Sequence, residues 1–210
     1  MVIVGGGIVG ASFAYHAHLA GLDEITLITD FMPGDKAQAT SNTWGWVNGY
    51  AVNDKNYAAF RLANLSYWIK LIDNINSLEK TSKGAFFWDF QDTELTEIIA
   101  QHQNWGHSVK EVDQSQMEVH LPNLLHKPYK AGFGQDDLAI EGSKATKELI
   151  KASGCKVKNI RVNKIIYDGN NVNGVETDQG IIYTDEVIIA AGLGTPNLLS
   201  SLNVNFKMHS

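Results

Sequence analysis

The chain opens on Val2-Ile3-Val4, an apolar run that stops at glycine as a buried parallel strand does. Ile8 to Ala20 then reads as a helix ending near Gly21. Glu24-Ile-Thr-Leu-Ile-Thr29 is β-branched and predicts a second strand. Strand, helix and strand fit the span of one βαβ unit, about 30 residues. Asp30 to Val52 is polar, glycine-bearing and irregular. A long helix is expected from Lys55 to Ile75, with Tyr57, Phe60, Leu65, Trp68, Ile69 and Ile72 at helical spacing. Ala85-Phe-Phe-Trp-Asp-Phe90 reads as a strand, and its aromatics Phe86, Phe87, Trp88 and Phe90 as the anchor of a second domain. A helix is expected over Asp92 to Trp105 with Asp92 as its cap. Extended structure follows over Ala131 to Ile140, then an amphipathic helix over Gly142 to Ser153.

The last third changes character. Val162–Tyr167, Val172–Thr177 and Gly180–Thr184 are strand-like runs separated by Asp168-Gly-Asn-Asn171 and Asp178-Gln-Gly180. Gly and Asn supply the positive φ that tight hairpins require, so these runs predict a β-meander. Val187-Ile-Ile-Ala-Ala-Gly192 is continuously apolar, which predicts a central parallel strand. The fold class expected is α/β. It comprises a parallel sheet with a β-meander, plus the beginning of an α+β domain. The expected division is 1–84 with 142–202 for a discontinuous first domain and 85–141 for a partial second one. The chain itself reads as truncated after 210.

Composition narrows the partners. A net charge of −6 with 44% hydrophobic residues describes a chain that can bury a core and offers no basic surface for nucleic acid. The single cysteine, Cys155, excludes an internal disulfide; it reads as a small core residue in a protein of a reducing, cytoplasmic compartment. The apolar N-terminus lacks a basic leader region and is interrupted by Gly5, Gly6, Gly7, Gly10, His16 and His18, so no export signal or integral membrane segment is expected.

Gly5-Gly6-Gly7-Ile8-Val9-Gly10 satisfies G-x-G-x-x-G at the strand-to-helix junction. Gly5 permits the tight turn, Gly7 lets the backbone approach a pyrophosphate, and Gly10 lets the helix pack on the strand. The helix N-terminus, with the amides of Ile8 and Val9, adds free N–H donors and a positive dipole end. An acid is expected at the end of the second strand to hold ribose hydroxyls, about 20 residues on. Thr29 lies 24 residues beyond Gly5 and Asp30 lies 25 beyond, so Asp30 is the candidate; a capping or loop aspartate is the alternative. The meander favours FAD over NAD, because a plain nicotinamide Rossmann unit reaches its third strand through another helix. The α/β fold expected is therefore an FAD/NAD(P)-binding, Rossmann-like parallel sheet with β-meander. It is expected as a discontinuous FAD-binding domain, 1–84 with 142–202, and 85–141 as a partial α+β substrate domain.

These features, taken in order, resemble the D-amino-acid oxidase, glycine oxidase and sarcosine oxidase family of FAD-dependent amine oxidoreductases. The resemblance rests on Val2–Gly10, on Ala39-Thr-Ser-Asn-Thr-Trp-Gly-Trp-Val-Asn48, and on Val109–Asp113 leading to Pro122-Asn-Leu. It continues through Leu138–Gly142 and Ala190-Ala-Gly-Leu-Gly-Thr-Pro196 with Leu198-Leu199. It implies that Gly5, Gly7 and Gly10 cradle the pyrophosphate and that Ala39, Thr40 and Ser41 pass the diphosphate. It implies also that Trp44, Gly45 and Trp46 run along the flavin, that the Val162 backbone meets adenine, and that Ala191 and Gly192 close over the ADP half. Thr29 stands where relatives usually carry Glu or Asp. Some relatives attach FAD to a histidine beside a Trp in the loop; Gly45 follows Trp44 here, so the cofactor expected is non-covalent FAD. Relatives are longer, and the part absent here is where the resemblance places the groups that grip the substrate carboxylate.

The activity implied is oxidation of the C–N bond of an amino acid or secondary amine by hydride transfer to flavin, with O₂ or an electron-transfer partner as re-oxidant. Two alternatives stay open: a catalytically silent FAD- or ADP-binding fragment, and an NAD(P)-linked dehydrogenase. Other chemistries find little support. His16, His18, His102, His107, His120 and His126 have no ligand spacing for a metal. Ser41 has no glycine elbow. Glu118 and Glu141 are isolated carboxylates, and no catalytic residue is assigned. Trp44, Trp46 and Tyr50 read either as core or as the wall of a pocket.

Overall fold

A computed structural model of the chain describes residues 1–50, 54–88 and 91–207. In chain order the elements begin β1 (Val2–Val4), α1 (Ile8–Leu19), β2 (Thr26–Thr29), β3 (Trp46–Val47), α2 (Lys55–Asn74) and β4 (Lys80–Phe87). They continue α3 (Asp92–Asn104), β5 (Val109–Asp113), α4 (Gln114–His120), β6 (Lys130–Ile140) and α5 (Gly142–Ser153). Strands β7 (Lys156–Asn159), β8 (Val162–Tyr167), β9 (Val172–Thr177), β10 (Gly180–Tyr183) and β11 (Val187–Ile189) lead to α6 (Thr195–Ser200). Two compact units result: Met1–Thr43 with Glu141–Ser210, and Trp44–Ile140.

The first unit is layered by the alternation of strand side chains. Its parallel sheet has the order β11-β1-β2-β7. On one face Ile3 and Leu27 pack with Ala14 of α1 and Ile150 of α5. On the other, Val2, Val4 and Ile28 pack with Val162, Val175 and Leu198 from the antiparallel meander β10-β9-β8 and α6. Because both faces of β1 are covered, the run is apolar at every position.

The second unit is built on β6, which pairs antiparallel with β3, β4 and β5. Met117 of α4 and Phe133 of β6 share one buried cluster; Leu95 and Ile99 of α3 pack with Phe87 and Val109 in another. Asp113 caps α4 by a capping box with Gln116.

Several expectations are corrected. The run at Val187 forms an edge strand of the described sheet, half-buried, because only β1 pairs with it. On α2 the buried positions are Ala58, Leu65, Trp68 and Leu71, whereas Tyr57, Phe60 and Ile69 are exposed. Strand β4 starts five residues before Ala85, bulged near Gly84, while Phe90 lies outside the described residues. The residue capping α3 is Gln91, and Asp92 is already helical, adding its charge to the first turn. Strands β5 and β7 and helix α4 had no element-level expectation. Among the described residues no helix is long and apolar enough to cross a membrane.

Candidate cofactor site

The glycine turn between β1 and α1 is held from three directions. Gly5 donates its N–H to Ile28 O at 2.8 Å, and Ala190 donates to Val4 O at 2.7 Å, fixing both flanking strands. Gly5 has φ +118, and a Cβ there would lie 2.2 Å from Ala190 O, so geometry and space both demand glycine. A Cβ on Gly10 would lie 1.9 Å from Gly5 O; the helix packs directly on the turn. Gly7, the N-cap of α1, differs from both. A Cβ there would meet only the Thr40 Oγ1, at 3.2 Å, which leaves the approach to its backbone otherwise open.

The helix start is prepared for an anion. No acidic side chain occupies the first turn of α1. The Ile8 N–H already donates to Thr40 Oγ1 at 3.1 Å, while Val9 and Gly10 have no intrahelical acceptor, as in the first turn of any helix. Thr40 belongs to a short 3-10 turn, Ala39–Asn42, and its carbonyl sits where a Cβ on Gly142 would be, 2.4 Å away. In that turn Ser41 Oγ is buried with no hydrogen-bond partner among the described residues. An open glycine backbone, unspent amides and an orphan hydroxyl fit the diphosphate of a dinucleotide.

The remaining candidates separate by unit. Thr29 is buried over Gly6, its hydroxyl donating to Phe31 O at 2.8 Å, and Asp30 is exposed just beyond it. Val162 opens β8 inside the meander-side core, and Ala191 and Gly192 follow β11, with open space where a Gly192 Cβ would point. Trp44, Gly45 and Trp46 belong to the second unit. Gly45 has φ +63, accepts from Ile140 N–H at 3.0 Å, and would place a Cβ 1.9 Å from Ile140 O. Trp46 pairs with Ala139, and Trp44 is 87% exposed.

A family model described as FAD dependent oxidoreductase matches residues 1–209. The chain belongs to this family. The cofactor of this family is FAD, and the NAD(P) alternative loses its ground. The 4-methylaminobutanoate oxidase (formaldehyde-forming) of Paenarthrobacter nicotinovorans is 27% identical over 231 residues, covering 100% of this chain and 26% of the relative. The N-methyl-L-tryptophan oxidase of Salmonella dublin is 24% identical over 213 residues, covering 97% of this chain and 56% of the relative. Among solved structures, L-proline dehydrogenase from P. horikoshii superposes with a TM-score of 0.83 at 22% identity, over 99% of this chain and 56% of that one. The chain thus spans about half or less of the length of the curated relatives it matches.

In this member of the FAD dependent oxidoreductase family, the second unit holds a buried pair that sequence reasoning missed. His107 Nε2 and Asp137 Oδ1 are 2.9 Å apart, with side chains 1% and 0% exposed. The same Asp137 oxygen accepts the Gly49 N–H at 3.0 Å. Gly49 and Gly134 make the room, since a Cβ on either would run into His107 or Asp137. No spacing signals a pair 30 residues apart, so nothing linear could have found it. Beside it, Tyr50 stacks on His102, and burial followed by the charge of Glu94 pushes the Tyr50 phenol up from its ordinary value. Glu141 and Glu118, left without roles by sequence, cap α5 and pair with Lys127 respectively.

Proposed function

We propose that this chain is the FAD-binding portion of an oxidoreductase that oxidises the C–N bond of an amino acid bearing a secondary amine. The observation carrying the proposal is the open Gly7 backbone at an acid-free helix start, beside the buried and unpartnered Ser41 Oγ. The first unit would hold the ADP half, with Gly5, Gly7, Ile8, Val9 and Gly10 at the diphosphate, joined by Ala39, Thr40 and Ser41. Asp30 is assigned to the ribose, Val162 to the adenine, and Ala191 and Gly192 to the closing edge; Thr29 supports the turn by packing over Gly6. The second unit is assigned to the substrate domain, with Trp44, Gly45 and Trp46 as its flavin-facing loop.

The substrate class is supported by two relatives named for N-methylated amino acids. When bound, FAD supplies a two-electron acceptor for oxidation of the amine to an imine, which water hydrolyses. The chain's own contribution is positional. First-turn amides of α1 meet the diphosphate charge, and the rigid turn at Gly5 fixes their direction. The absence of a histidine beside Trp44 supports non-covalent attachment.

Purified chain reloaded with FAD is the test. Stoichiometric protein-bound flavin absorbance is expected, and anaerobic addition of an N-methyl amino acid should bleach it. Bound flavin that no amine bleaches would leave a silent binding fragment. Saturable NADH binding without flavin uptake would overturn the assignment.

A further inference from the structure

We infer that Asn159 and Arg161 are positioning residues for the ribose end of the nucleotide, and that together with Asp30 they make the site reject a 2′-phosphate. The inference rests on the FAD-binding reading above. Strand β2 ends at Thr29, where a dinucleotide-binding unit usually carries the acid that accepts from ribose hydroxyls. Thr29 is committed elsewhere: it is 6% exposed, its hydroxyl proton goes to Phe31 O, and its side chain fills the space above Gly6. The first carboxylate available is that of Asp30.

That carboxylate is fixed from the neighbouring strand. Asn159 on β7 is in register with Thr29. Its Nδ2 donates to Thr29 O at 2.9 Å and to Asp30 O at 2.8 Å, spending both amide hydrogens on consecutive carbonyls. A strand end that would otherwise fray is pinned at the residue carrying the charge. Arg161, two residues on, places Nε 3.9 Å from Asp30 Oδ2, with both side chains largely solvated. At that separation the pair is loose, and the carboxylate keeps lone pairs for hydroxyl donors.

The two charges have opposite preferences. A carboxylate here accepts from a free ribose 2′-hydroxyl and repels a 2′-phosphate, whereas an arginine accommodates that phosphate. Asp30 therefore sets the selectivity, and Arg161 becomes a latent phosphate ligand once the carboxylate charge is gone.

Calorimetric titration of the full chain with ADP and with 2′-phospho-ADP tests this. The native chain is expected to favour ADP by about tenfold or more, given a phosphate of charge near −2 a few ångströms from a carboxylate. Asp30→Asn should bring the two nucleotides to parity or reverse their order, and adding Arg161→Ala should abolish the gain for 2′-phospho-ADP. Asn159→Leu, which removes the donor without adding charge, should narrow the preference for ADP, and Asn159→Gln, which keeps the amide, should hold it closer to native. A ratio unmoved by Asp30→Asn or Asn159→Leu, with ADP still bound, overturns this inference and leaves the FAD assignment standing. A native chain that binds neither nucleotide nor FAD overturns both.

Discussion

Gly5 and Gly7 stand two residues apart in one turn and should answer the same substitution differently. Alanine at Gly5 meets both a positive φ and Ala190 O at 2.2 Å, so Gly5→Ala should cost about 3 kcal/mol of stability or more. Alanine at Gly7 meets only Thr40 Oγ1 and loses a favourable cap residue, a cost of about 1 kcal/mol. Its methyl group nevertheless enters the space proposed for the diphosphate, so ADP affinity should fall at least about tenfold, which corresponds to about 1.4 kcal/mol. Urea denaturation and ADP titration of the two variants check the contrast; a Gly7→Ala chain that binds ADP as tightly as the native one removes the diphosphate from this turn. The glycine fingerprint was legible because its demands are local: a tight bend, then a close helix. The His107–Asp137 pair was not, since its partners meet only once β6 lies beside Gly49. Asp137→Ala leaves the Gly49 N–H without its acceptor and His107 Nε2 without its partner in a buried site, and should cost about 3 kcal/mol. Asp137→Asn, which keeps a carbonyl oxygen for Gly49, should cost less in the same urea titration.

At the level of elements, the turn chemistry between β8 and β9 illustrates what a sequence can specify. Asp168 accepts from the Asn171 N–H at 2.8 Å, the Asn170 N–H at 2.9 Å and the Asn173 side-chain amide at 3.0 Å. These donors, the Asn171 backbone foremost, hold its carboxyl down to about 2. A folded-state value below the unfolded one, about 3.9, means the stabilisation is complete above that pH and is lost as pH falls through about 2. The Asn171 amide resonance should therefore hold steady from neutral pH to about 4 and titrate with a midpoint near 2, and Asp168→Asn should remove that titration. The hairpin could be read because Asp, Gly and Asn act on their own neighbours. Strand β7 could not: Lys156-Val-Lys-Asn159 exposes most of its side chains at a sheet edge, and only its pairing with β2 makes it a strand. Strand β11 misled for the converse reason. Its apolar run suggests burial by strands on both sides, but the cover comes from packing on the sheet faces, where Ile188 joins the helical layer and Val187 and Ile189 the meander layer.

At the scale of the whole chain, the same asymmetry decides where a nucleotide should leave its mark. The residues proposed for the ADP half all belong to the unit formed by Met1–Thr43 and Glu141–Ser210, while the aromatic loop proposed for the flavin belongs to Trp44–Ile140. ADP carries the diphosphate and adenosine without the isoalloxazine ring, so it isolates the first contribution from the second. A ligand that binds only the folded state adds stability by mass action, about 2.7 kcal/mol at a concentration 100 times its Kd. Local opening of the turn must release the ligand first, so hydrogen exchange should slow most in residues 5–11, 39–43 and 190–194. If the proposed assignment of Trp44, Gly45 and Trp46 to the flavin holds, FAD should reproduce that footprint and add protection at residues 44–47. Mass-spectrometric exchange with each ligand reads both footprints. ADP protection that centres on residues 109–140 would move the nucleotide into the second unit and dismantle the cradle assignment. An FAD footprint no larger than that of ADP would instead spare the cradle and remove the tryptophan loop from the flavin.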